Sequence, residues 1–188
     1  TRKNLGSLTE AIRIDEDGAV IKGHTSKLAV GGITPTFQIH GDGFNNSSML
    51  LTNYANDADP AIIQFGRSRS GTVGTTGTIV QDDDNIGNIN WAADDGVDVN
   101  TPVARISGQI DGTPGSNDMP GRLVFMTTKN GEAALTERMR ITNSGNVGIG
   151  ITEPLHLLDA RVSATGAIPT DHTISVTNTN DNYIGFMN

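Results

Sequence analysis

The sequence contains no cysteine. Disulfides, thiol catalysis and zinc sites built on thiolates are thereby excluded. Aromatic residues make up only 4% of the 188 residues, so no large core can be anchored on rings. Positive charge is scarce as well: 13 Lys and Arg stand against 21 Asp and Glu, a net charge of −8. Phosphate binding needs a basic face, so nucleic acid is not an expected partner. No apolar run approaches the roughly 20 residues of a membrane-spanning helix, and no signal peptide is present, so membrane insertion is not expected. No stretch of a dozen residues carries a convincing 3.6-residue period, which leaves little room for helices. The chain begins at Thr1 rather than Met. It is read as a fragment or a processed product, so missing targeting signals weigh little.

What is present is a thin aliphatic core. Leu, Ile, Val and Phe total 44 of 188 residues, about 23%, just above the roughly 20% below which chains are disordered. Ile and Val dominate it, and Thr, Asn and Gly are abundant. That mixture suits strands and turns. A thin core spread over many strands implies that other chains supply the missing burial.

The chain is organised around a repeat. Leu135–Gly150, LTERMRITNSGNVGIG, matches Leu8–Gly23, LTEAIRIDEDGAVIKG, at 8 of 16 positions without gaps. In each, apolar residues alternate with polar ones, Ile12 and Ile14 in the first and Met139 and Ile141 in the second. Alternation of period two predicts a half-buried strand. A polar turn ending at Gly18 or Gly145 follows, then a second strand from Val20 or Val147, so each copy reads as a β-hairpin. Ile12/Ile14 and Met139/Ile141 are expected at equivalent buried positions. Val30–Pro35 is matched to Val147–Pro154, and Leu51–Asn53, Asn56–Asp57 and Ile63–Phe65 to Val176–Asn178, Asn180–Asp181 and Ile184–Phe186. The expected organisation is a first partial module over residues 1–65 with its hairpin at 8–23, and a central β block over 66–134. A second copy over 135–188 is truncated at its C-terminus.

In the central block Gly71–Gly77 reads as a loop, since it lacks the Lys and helix of a phosphate loop. Thr78–Gln81 and Ile86–Ala93 read as strands around an acidic turn at Asp82–Asn85. Pro102–Ile110 alternates, with Ala104, Ile106 and Ile110 opposite Arg105, Ser107 and Gln109. Asp111–Asn117 is a turn cluster, Arg122–Thr128 another strand, and Asn130-Gly131 a type I′ hairpin signal. The fold class expected is all-β, a meander of short strands and hairpin modules.

Gly121–Thr128, GRLVFMTT, the ERMRI and GNVGIG elements of the second hairpin, and Thr152–Asp159, TEPLHLLD, together resemble a pattern of tailed-bacteriophage tail fibres. The close match covers about 40 residues. Ile151 stands where the family usually has Thr. The resemblance implies an elongated, intertwined homotrimer in the virion tail fibre, joined to other tail proteins. Its implied partner is a host cell-surface polysaccharide or outer-membrane receptor. Such fibres often continue into a C-terminal chaperone domain that directs trimerisation and is cleaved off, and nothing in this sequence resembles that domain.

For chemistry, Asp82, Asp83, Asp84, Asp94, Asp95 and Asp98 offer carboxylates, and a glycoside hydrolase needs a pair about 5–10 Å apart. Acidic runs beside Asn and Gly are ordinarily solvated turns, and nothing in the sequence fixes a pair. Asp94–Asn100 alternates oxygen ligands but lacks the spacing and terminal Glu of a calcium loop. His24, His40, His156 and His172 form no pair at ligand spacing. No metal, cofactor or catalytic residue is therefore assigned. A weak glycan site needs an exposed ring beside amide and carboxylate acceptors. The residues that offer this are Trp91 with Asp82, Asp84, Asn90, Asp94 and Asp95, and secondarily Tyr54; Tyr183 ranks with Tyr54. The expected role is non-enzymatic host adhesion, with a fibre-borne polysaccharide hydrolase as the alternative.

Overall fold

A computed structural model describes residues 12–43 and 47–161. These residues contain nine strands and no helix: β1 (Arg13–Ile14), β2 (Val20–Lys22), β3 (Phe37–Ile39), β4 (Asn85–Ala93), β5 (Thr101–Ile110), β6 (Gly121–Thr128), β7 (Leu135–Ile141), β8 (Val147–Ile149) and β9 (Leu158–Ala160). The chain is all-β, as its Ile, Val, Thr and Gly content dictates. Two sheets form, one ordered β1-β2-β3 and one ordered β4 to β9 in sequence. All neighbours are antiparallel except β2/β3 and β8/β9, which are parallel.

The two sheets repeat one local design. Arg13 pairs with Ile21 and Ile14 with Val20; Arg140 pairs with Gly148 and Ile141 with Val147. The offset between the hairpins is 127 residues at every position. The third strand keeps the register, with Val20–Phe37 and Val147–Leu158 as equivalent pairs. Between β2 and β3 the chain spans residues 23–36, against 150–157 between β8 and β9, so the first copy carries a longer loop. The turns match too. Gly18 N–H donates to Asp15 O and Gly145 N–H to Thr142 O, with φ of 80° and 84°. The Asp15 carboxylate and the Thr142 hydroxyl accept from the N–H of Ala19 and Asn146, so two different oxygens close the same turn. Gly23 and Gly150 also correspond, with φ of 82° and 70°. A Cβ there would strike the carbonyl oxygen of His40 or Arg161.

Several expectations are corrected. Val147 takes the place of Val20, so Val30–Pro35 is not its counterpart; Val30 and Ile33 bond to one another across a tight turn instead. Ile12 and Ile14 are not buried but 63% and 72% exposed, and Met139 and Ile141 are half-buried. The buried members of the first copy are Ala19 and Ile21. Thr78–Gln81 forms no strand, because Gln81 N–H is taken by the Asp84 carboxylate and the chain turns there. Asn130-Gly131 is not a type I′ turn. Gly131 has φ 83° but Asn130 is not in the left-handed region, and the six residues between β6 and β7 remove the constraint of a two-residue hairpin. Residues 8–11, His172, Tyr183 and the stretches matched beyond residue 161 lie outside the described residues.

The faces of the large sheet decide where the core sits. Paired residues share a face. One row reads Asn88–Ser107–Val124–Arg140–Gly148–Asp159, and Ser107 and Val124 in it are 0% and 1% exposed. The row beside it, on the opposite face, reads Ile89–Ile106–Phe125–Met139–Ile149–Ala160. Its Ile89 and Ile149 are 49% and 45% exposed. Of these two rows the polar one is thus the better covered, and the apolar one lies open at Ile89 and Ile149. Among the described residues only Ala19, Ile21, Val80, Ile110 and Val124 are buried apolar residues.

Candidate functional site

The polar face ends in a cleft at the turn side of β5, β6 and β7. It encloses about 510 Å³ and is lined by Asp83, Asp111, Arg122, Arg140, Asn143 and Glu153, with Thr142, Ser144 and Thr152–Leu155 beside them. Arg122 opens β6 and organises it. Its Nε donates to Gln109 Oε1 at 2.8 Å and its Nη1 to Asp111 at 3.0 Å, while Nη2 reaches Asp83. Asp83 is held there by the acidic turn, with φ 66° at Asp83 itself, and by the Asp82 carboxylate accepting from Gly112 N–H at 2.7 Å. Asp111 in turn accepts from Asn143 N–H, and its carbonyl accepts from the Asn143 side chain. Three turns distant in sequence are thereby tied to one guanidinium.

Asp111 and Arg122 are held in their charged forms. Burial pushes the Asp111 carboxyl up, but the Asn143 N–H and the Arg122 guanidinium outweigh it and the net direction is down. Burial pulls Arg122 down, and its two carboxylates outweigh that in the same way. Arg122 uses three of its five N–H donors and Arg140 uses two, both on Glu137. Among the described residues no group of three or more His, Asp or Glu is placed to hold a metal ion.

The residues singled out in the sequence are dispersed. Asp84 is buried and committed to structure. It forms a two-point pair with Arg69 at 2.6 and 2.7 Å, meets Arg67 at 3.1 Å and accepts from Gln81 N–H, and the Arg69 contact above all holds its carboxyl far below the usual range. Asp82 borders the cleft through Asp83 and Gly112. Asn90 and Trp91, adjacent on β4, lie on opposite faces: Asn90 accepts from Arg105 Nε on the polar face, and Trp91 stands half-exposed opposite Ala104 on the apolar one. Asp94 caps Gly96 N–H, and Asp95 caps Val97 and Asp98 and accepts from Thr101 Oγ1, which lowers its pKa. Their loop is docked on the Val30–Ile33 turn through Gly31 N–H to Val99 O. Tyr54 stands fully exposed on a strandless segment. His24 and His40 do meet, with ring centroids 5.6 Å apart, although they are far apart in sequence. Arg122, Arg140, Asp111 and Asn143 were missed as site residues. The sequence carried a partial signal for Arg122 alone, which pairs with Gln109 of the alternating polar set on β5.

No family model matches the chain, and no curated protein matches it. Among solved structures, the chain is similar to the carboxy-terminal domain of the bacteriophage T5 L-shaped tail fibre, with a TM-score of 0.56 at 13% identity, covering 89% of this chain and 67% of that one. The same domain solved with its intra-molecular chaperone domain gives a TM-score of 0.56 at 14% identity, over 95% of this chain and 50% of that one. At this identity the likeness establishes a shared fold.

Proposed function

We propose that the chain is a non-enzymatic segment of a phage tail fibre, carried in the virion as a homotrimer joined to other tail proteins. The observation that carries this reading is the outward apolar face of the large sheet. An apolar row whose Ile89 and Ile149 stand about half in water is unfavourable in a lone chain and is satisfied when copies bring those faces together. Trp91 shares that face and is read as part of the chain-to-chain interior. The fold likeness to a tail-fibre domain supports the same assignment.

The purpose of such a fibre is attachment to a bacterial surface, and its ligand here is proposed to be a cell-surface glycan. The polar cleft is the contact, one per copy, and three weak sites add firm binding through avidity. The hydrolase alternative gains nothing from the structure. A general acid needs a raised pKa, and the most buried acidic carboxyl of the predicted set, Asp84, is pushed the other way. The test is binding of the intact protein to purified surface polysaccharide of a susceptible host. Arg140→Gln should weaken it at least several-fold while the oligomeric mass is unchanged, and no reducing ends should be released. Full binding in that variant with loss in Tyr54→Ala or Asp94→Asn would move the contact to the segments around β4.

A further inference from the structure

Residues 47–65 form a segment without a strand, bent at 56–58, carrying Met49, Leu50, Leu51, Ile62 and Ile63 exposed. Among the described residues, 48–66 make no backbone–backbone hydrogen bond, so the segment joins neither sheet there. Its foothold is at one end. Phe65 sits against Gly87, where a Cβ would collide with the ring, and Ile62 and Ile63 border the apolar face at Ile89 and Leu123. The β8–β9 end of that face, with Ile149 and Leu158, stays open.

We infer that residues 47–65 are an exchanged arm, with Met49–Leu51 of one copy seated on the β8–β9 end of the apolar face of the next. This rests on the homotrimer proposed above and names the segment that ties it together. The occupant is a second copy because, among the described residues, Met49–Leu51 stand exposed without a seat and the Ile149 and Leu158 end of the apolar face stands exposed without cover. In a closed ring each copy gives one arm and receives one, so none is left over. The seated residues Met49, Leu50 and Leu51 are 60%, 82% and 48% exposed. At about 200 Å² for a large side chain they offer roughly 400 Å², and with a matching seat about 800 Å² leaves the water per arm, so the arm adds to the contact between apolar faces and is not a full interface by itself. The arm also carries acceptors and donors along its whole backbone, which an edge strand of the neighbour can pair.

The absence of native cysteine makes the test clean. Leu50→Cys and Leu158→Cys in one chain, oxidised after assembly, should give a covalent trimer on a denaturing gel that collapses to monomer with reductant. Either single variant should give no ladder beyond a dimer. A native trimer whose double variant forms only an internal bond, or none with Leu158 and none with Ile149→Cys in its place, overturns the arm and leaves the trimer standing. A covalent ring of another size keeps the arm and overturns the trimer. A monomeric native protein overturns both.

Discussion

The clearest perturbation of the repeated design is a methyl group on Gly150. Its φ of 70° already costs an L residue about 1–2 kcal/mol. The added Cβ also strikes the carbonyl oxygen of Arg161, the residue that follows β9. To relieve the collision β9 must move away from β8, which endangers the Arg161 N–H to Ile149 O bond of 2.8 Å, worth about 0.5–1.5 kcal/mol. Gly150→Ala should therefore cost about 2–4 kcal/mol. Gly145→Ala is the internal control: its φ is 84°, but a Cβ there meets nothing within 4 Å, so it should cost only the about 1–2 kcal/mol of the backbone conformation. Gly23→Ala should behave like Gly150→Ala, because His40 O stands where Arg161 O stands. The assay is urea unfolding at fixed protein concentration, with hydrogen exchange at the Arg161 and His40 amides to localise the loss. If Gly150→Ala and Gly145→Ala cost the same, the close approach of the third strand is not a structural requirement and the reasoning fails.

Other outcomes follow from the same contacts. Arg122→Met leaves Asp83 and Asp111 facing each other without their shared guanidinium and should destabilise by about 2–4 kcal/mol, with Arg122→Lys recovering part of it in thermal unfolding. Ile149→Asp places a charge on the outward apolar face and should reduce the oligomer to a monomer in size-exclusion chromatography while the far-ultraviolet spectrum stays β. Asp15, Asp84, Asp95, Asp111 and Asp159 all have pKa values lowered by folding, so the folded state binds fewer protons than the unfolded state. Their contribution is intact above the ordinary carboxylate pKa of about 3.9 and is lost as pH falls through the lowered values, so an acid titration of stability should stay level to about pH 4 and then drop.

The all-β class was legible from composition, and the hairpins from alternation and the matched LTE, RI, G and V positions. Local rules act within a dozen residues, and these features are local. The third, parallel strand was not legible in either copy, because Phe37–Ile39 and Leu158–Ala160 join through loops of different length that carry no periodic signal. The choice of face was misread for a different reason. Alternation shows that Ile106 and Ser107 point to opposite sides, but not which side is covered. The expectation that the apolar side faces inward holds for a self-sufficient chain, and here Ser107 is the buried one. The acidic turn was correctly read as a turn, whereas its partner Arg122 lies 39 positions from Asp83 and could be assigned only in three dimensions.

The central claim is that the outward apolar face is an interior surface between copies. Multi-angle light scattering measures this directly. The account predicts a single species of about 59 kDa, three times 19.8 kDa, that persists on dilution through the micromolar range. A folded species of 19.8 kDa under the same conditions would contradict it.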